Sequence, residues 1–244
     1  MSLLGTIVNG IAIIAGSFLG LFWTNISDRY KDTILQAMAL AVTILGIGMG
    51  LKSEQFLIVI ASLAIGGALG EWWNLEERLN AIGKWLETKV GKQDKGSVAT
   101  GFVTATLVFV VGAMSIVGAL DSGLRQQHDV LYTKALIDGF CAILFTSTLG
   151  IGVMFSAIPV VLYQGIIALM ATQIDRFVSQ ELMDALIVEI TGTGGIMIVA
   201  IGLNLLGIAK IRVANLLPGL LVATILVFIV EKWESILAFS QGLM

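Results

Sequence analysis

Charge is what this chain has least of. Only 13% of its 244 residues are Asp, Glu, Lys or Arg, while 57% are hydrophobic and the mean hydropathy is +0.96; an ordinary soluble protein carries about 25% charged residues. That scarcity excludes a solvated globular surface and makes this a membrane protein, which we treat as a single polytopic domain over residues 1–244. The net charge is −3, and the basic residues lie in loops rather than on one amphipathic face, so nucleic acid is not an expected partner. Cys141 is the one cysteine and falls in an apolar run, which excludes an intramolecular disulfide and any Cys-rich metal or redox motif. His128, the one histidine, sits in a polar loop and is not expected to be a ligand. There is no HExxH, GxSxG or GxxxxGK[ST], and no GxGxxG following a strand. Asp121 and Asp138, the one conceivable membrane aspartyl-protease pair, stand at the ends of spans. Neither an enzyme, a cofactor nor a resident metal is expected. No Lys or Arg precedes the apolar opening MSLLGTIVNGIAIIAG, so it lacks the basic region of a signal peptide and reads as a retained first span.

What the chain does have is long apolar runs. Windows of about 20 residues place spans near 3–23, 34–51, 56–73, 98–120, within 135–174, at 187–207 and at 213–231. The fold class is therefore all-α integral membrane protein, with seven crossings, or eight if the run after Asp138 crosses twice. That run meets no charge until Asp175, and its roughly 36 residues would make a helix of about 54 Å, against a hydrocarbon core of about 30 Å. At least one broken or hairpin segment is expected there.

Lys and Arg in the short loops set orientation. Arg29, Lys31 and the connection NLEERLNAIGKWLETKVGKQDKG gather most of them, so that side is expected to be cytoplasmic and the N-terminus outside. Residues 73–96 form a cytoplasmic amphipathic connector, with Leu75, Leu79, Ile82 and Leu86 at helical spacing beside Trp72, Trp73 and Trp85.

Two interruptions carry the functional expectation. Pro159 cannot donate its N–H and clashes with the carbonyl four residues back, which predicts a helix break between the small and hydroxyl residues that include Ser156 and the polar Tyr163 and Gln164. The alternative is a kinked helix whose hydroxyls bond their own backbone. In EITGTGG, Glu189 to Gly195, three glycines in four residues each cost roughly 1 kcal/mol in a helix interior, predicting that the helix unwinds and restarts near Ile196, with free N–H groups suited to an anion. Thr191, Thr193, Gly194 and Gly195 are then candidate substrate ligands, with Ser156, Gln164 and Asn204 adding polar contacts and Glu189 coupling a cation. Helix packing is the alternative for these glycines, as helix-to-helix hydrogen bonding is for Asn204 and Asn9. Asp138 is a further candidate for the cavity. The pairs Gly16/Gly20 and Gly66/Gly70 permit close packing, within a bundle or at a homodimer seam; a homodimer is expected. GIGMGL from Gly46 and AIGLNL from Ala200, each followed by a span ending in EWWNLEERL or EKWESIL, suggest an internal repeat.

The segments IGLNLLGIAKIRVANLLPG, TLGIGVMFSAIPVVLYQG and GTIVNGIAIIAG together resemble the bacterial membrane-protein family catalogued as domain of unknown function 554, the YdfK/YqgA-like group. The resemblance runs over essentially the whole chain and is most specific from Thr148 to Gly165. It implies a polytopic inner-membrane protein of about this length, with no substrate and no functional residue to carry over. The reading that follows is a plasma-membrane secondary transporter, in contact with membrane lipid, for a small anionic or zwitterionic solute coupled to H⁺ or Na⁺. Its competitors are a non-transporting structural or regulatory dimer and a passive channel.

Overall fold

The computed structural model describes residues 1–22, 27–90 and 98–241, apart from the side chains of residues 28, 90 and 232–241. Every regular element among the described residues is helical: α1 (Leu4–Leu21), α2 (Asp28–Gly50), α3 (Phe56–Trp73), α4 (Leu75–Val90), α5 (Val98–Val110), α6 (Ala113–Leu124), α7 (Asp129–Leu149), α8 (Ala157–Phe177), α9 (Gln180–Leu205) and α10 (Pro218–Gln241), with short 3-10 segments at Ile151–Ser156 and Val213–Leu216. Seven of these stretches are long and apolar enough to span a bilayer, and α5 with α6 qualifies as an eighth, bent by 63°.

The residues are sorted in the sense opposite to a soluble protein. Large apolar side chains line the outside at helical spacing, Ile7, Ile11 and Phe18 on α1 and Ile158, Leu162 and Ile166 on α8, where lipid is as good a solvent for them as a core. Small residues face inward. A methyl group on Gly16 would land on the Gly139 carbonyl oxygen, one on Gly46 would sit 2.6 Å from the Val199 nitrogen, and one on Gly66 would strike the Gly219 backbone. Three seams, α1 with α7, α2 with α9 and α3 with α10, thus depend on backbone meeting backbone. Both glycine pairs expected to permit close packing, in the bundle or at a dimer seam, pack within the chain. The two helices of each echo, α2 with α9 and α3 with α10, pack against their counterparts.

Packing sense settles the path. Along the α1–α7 seam Gly5 meets Leu131, Gly16 meets Gly139 and Gly20 meets Ile143, so the two helices run parallel. Along α2–α9, Gly202 meets Ala39 and Thr43 while Gly50 meets Ile196, an antiparallel register. Both senses require an odd number of crossings between α3 and α7, which the bent α5–α6 supplies. Contacts at the membrane faces agree: the Met1 amine donates to Gln126 Oε1 at 3.3 Å and Ser122 Oγ to the Ser2 carbonyl at 2.8 Å, while at the other end of the bent helix Ala99 packs on Gly83 of α4. With the bent pair counted as one span, this packing corresponds to eight crossings.

The long run after Asp138 does cross twice, but the break is not at Pro159. Helix α7 stops at Gly150, whose φ of 85° is open to glycine and strained for other residues. Pro159 is the third residue of α8, in a first turn that continues directly from the 3-10 segment Ile151–Ser156, a position where proline's fixed φ suits the helix. Nor does EITGTGG unwind: α9 is continuous from Gln180 to Leu205, and its glycines make room for three different neighbours, Gly192 for Ser53 and for Val59 of α3, Gly194 for Val111 and Gly195 for α2.

Helix α4 turns Leu79 and Leu86 to the core, whereas Ile82, expected on the same face, points outward with Trp85. The connector's last residues, with Lys92 and Lys95, lie outside the described residues. Asn74, at φ 52°, ends α3 in the left-handed conformation.

Candidate functional site

Midway through the bundle the polar side chains are few, buried and joined. Asp138 lies nine residues into α7, about 14 Å along its axis, and is 4% exposed; Lys134, one turn earlier, is 7% exposed. The Lys134 Nζ reaches both carboxylate oxygens, at 3.0 and 2.9 Å. From α1 the Asn9 amide donates to Asp138 Oδ2 at 3.1 Å and to Gln164 Oε1 of α8 at 3.3 Å. Gln164 Nε2 in turn lies 3.5 Å from Ser115 Oγ of α6, which donates to the Phe109 carbonyl at 3.2 Å. An ion pair at membrane depth is expensive unless hydrogen-bonded and neutralised, and this one is both. Two buried oxygens on the same α1 face, Asn9 Oδ1 and Thr6 Oγ1, have no partner.

The network abuts the interruption of the bent helix. Gly112 has φ 137°, a conformation that L side chains rarely adopt, and no side chain caps the N-terminus of α6. The break thus presents two half-helix ends in the protein interior: α5 carbonyls, of which Phe109's is taken by Ser115, and α6 amides at the positive end of its dipole. Gly194 of α9 faces this point, since a methyl there would strike Val111 Cγ1.

The expected site residues separate into three groups. Gln164 and the further candidates Asp138 and Asn9 come together in the network. Gly194 sits opposite the break, and Thr191 and Thr193, on the same stretch of α9 but about 200° apart around its axis, are buried with their hydroxyls unpartnered; Gly195 instead packs on Gly46 and Gly50 of α2. The remainder have structural duties. Glu189 Oε1 accepts the Glu54 and Gln55 N–H groups, each at 2.9 Å, and its Oε2 accepts the Ser53 hydroxyl at 2.6 Å, so its carboxylate caps the approach to α3 rather than waiting for a cation. Asn204 clamps the turn after α9 through both Ile211 backbone groups, at 2.7 and 2.8 Å. Ser156 bonds its own helix, at the Val153 carbonyl. Sequence reasoning missed the Gly112 break, Ser115 and Lys134. A charge just inside a membrane run was the available signal for the last; a single glycine gave none for the first.

The family model described as "Protein of unknown function (DUF554)" matches residues 4–228. The chain is 37% identical over 234 residues to the uncharacterized membrane protein YdfK of Bacillus subtilis (strain 168), covering 94% of this chain and 97% of the relative. It is 27% identical over 225 residues to the uncharacterized protein YqgA of Escherichia coli (strain K12), covering 90% and 94%. No solved structure gives a significant match.

Proposed function

Because the chain belongs to the DUF554 family, whose description names no activity, function has to be read from the site, and we propose a secondary transporter for a small anionic or zwitterionic solute, coupled to H⁺ or Na⁺. The observation that carries this reading is the uncapped α6 N-terminus beside a buried ion pair. A helix broken at membrane depth leaves amide groups whose desolvation is offset only when something polar binds them. The solute's oxyanion takes the α6 amides, in the space that Gly194 of α9 leaves opposite them. Asp138 takes the coupling role that the sequence pointed to at Glu189, with Lys134 as the resident cation that an incoming one must displace.

The protein sits in a bacterial plasma membrane. The face bearing α4 holds most of the Lys and Arg residues and is the cytoplasmic one, which puts the N-terminus outside.

The test is water and solute access at the break. Met114→Cys in a Cys141→Ala background, in membrane vesicles, should react with a membrane-impermeant thiol reagent, and Asp138→Asn should change its rate between Na⁺ and K⁺ buffers. Proteoliposomes assayed by solid-supported-membrane currents with pulses of the common amino acids and short carboxylates should give a current that Asp138→Asn abolishes. A structural or regulatory membrane protein, favoured by the three glycine seams, would leave Met114→Cys unreactive from both sides and give no current.

A further inference from the structure

Two cavities lie on the same pair of elements, one on either side of the break. The first, about 160 Å³, is lined by one face of α5 (Thr100, Thr104, Leu107), by Ile201 of α9 and by Glu76 and Asn80 of α4. The second, about 170 Å³, is lined by one face of α6 (Val117, Leu120, Asp121), by Ile187 and Asp184 at the start of α9, and by Asp175. Each offers more than ten times the roughly 10–15 Å³ that one water needs. They open at opposite ends of α9, and therefore toward opposite membrane faces. The sealed stretch between Ile187 and Ile201 is about 21 Å of helix, and it contains Thr191, Thr193 and the Gly194–Val111 contact. Helix α9 packs densely on α2 but only sparsely on α5 and α6, so this seam is the weakly held side of α9.

The charges of the two vestibules agree with each other. In the outer one Arg125 is paired with Asp121 at 3.0 Å, leaving Asp175 and Asp184 unneutralised among its lining residues. In the inner one Glu76 is the one charged lining residue among the described residues. Acidic mouths concentrate cations and repel simple anions, whereas the α6 N-terminus and the two unpartnered hydroxyls between them offer hydrogen-bond donors.

We propose that the seam between α9 and the bent α5–α6 helix is the translocation path, closed at Val111 against Gly194, and that its cargo is a small zwitterion rather than an anion. The ammonium end is drawn in by the acidic vestibules and the carboxylate end is held by the α6 amides. This rests on the transporter reading and selects between its two solute classes.

Single cysteines in the Cys141→Ala background test it, Ile187→Cys and Met183→Cys in one vestibule, Thr104→Cys and Leu107→Cys in the other, with lipid-facing Leu221→Cys as control. Each is exposed to a trimethylammonium-ethyl and a sulfonato-ethyl methanethiosulfonate from either side of the membrane. Rates are divided by those of the same reagents with 2-mercaptoethanol. The expected result is modification of the first pair from the outside only and the second from the cytoplasm only, about ten-fold faster with the cationic reagent, with Leu221→Cys unmodified. An Asp175→Asn/Asp184→Asn background should bring the ratio at Ile187→Cys toward one. Modification of both pairs from one side, or of neither, overturns the path; equal or anion-favouring rates overturn the zwitterion. Accessible vestibules without any solute current would instead sink the transporter reading and leave the path standing as a water-filled seam.

Discussion

The Lys134–Asp138 pair makes the strongest demand on the fold of any two residues here. Removing one partner leaves an uncompensated charge in the interior, which costs about 3–5 kcal/mol, whereas replacing both with apolar side chains is close to neutral. Lys134→Met and Asp138→Leu should therefore each lower the melting temperature in detergent sharply, and Lys134→Met/Asp138→Leu should recover most of the loss. Additive losses in that cycle would show that the two groups do not act as a pair. Recovered stability without recovered solute current would separate the pair's function from its cost. Glu189 should behave in the opposite way. Its carboxylate holds three donors at the α2–α3 turn, so Glu189→Gln should destabilise by about 1–2 kcal/mol, the range of a lost cap, while the vestibule cysteines keep their side-specific labelling. A coupling residue would give normal stability and no current.

At the scale of elements, glycine decides which helices touch. A methyl group on Gly48 of α2 would have nothing within 4 Å, whereas one on Gly195 would press into the Gly46 carbonyl oxygen at 2.7 Å and the Gly50 nitrogen. Gly48→Ala should raise stability by up to about 1 kcal/mol, since alanine is the better helix former. Gly195→Ala should lower it by about 2 kcal/mol or more, because backbone cannot rotate away as a side chain can. Thermal unfolding of the two variants checks this, and an equal response would mean that the α2–α9 seam is not backbone-limited. The same glycines explain what the sequence made legible. A run too long for one helix could be read from Asp138 to Asp175, because length is a hard limit. The position of its break could not, because proline is as comfortable in a first turn as it is disruptive in an interior, and Gly150 looks like any other glycine. EITGTGG misled for a related reason: three glycines signal either an unwound helix or close neighbours, and only the fold shows that Gly192, Gly194 and Gly195 each meet a different one.

For the whole molecule, the helical class could be read from hydropathy alone, while the crossing number could not. In the sequence it hangs on whether the run after Asp138 crosses twice; in the structure it hangs as well on residues 98–124, read from sequence as one span, traversing despite a 63° bend at a glycine with no sequence signature. Parallel packing of α1 on α7 and the Met1–Gln126 contact decide it, and they have a consequence at the far end of the chain. With eight crossings α10 runs toward the face where α1 begins, so both termini share a side; with seven they would be opposed. The excess of Lys and Arg on the α4 face makes the shared side external. Alkaline phosphatase fused after Met244 should therefore be active in a bacterial host, and green fluorescent protein fused there should stay dark, while fusions after Val90 should give the reverse. An inactive phosphatase and bright fluorescence at the C-terminus, with the Val90 fusions as expected, would mean that α5–α6 re-enters without crossing. The bent helix would then not run the length of α9, and no path between the two could join the sides of the membrane.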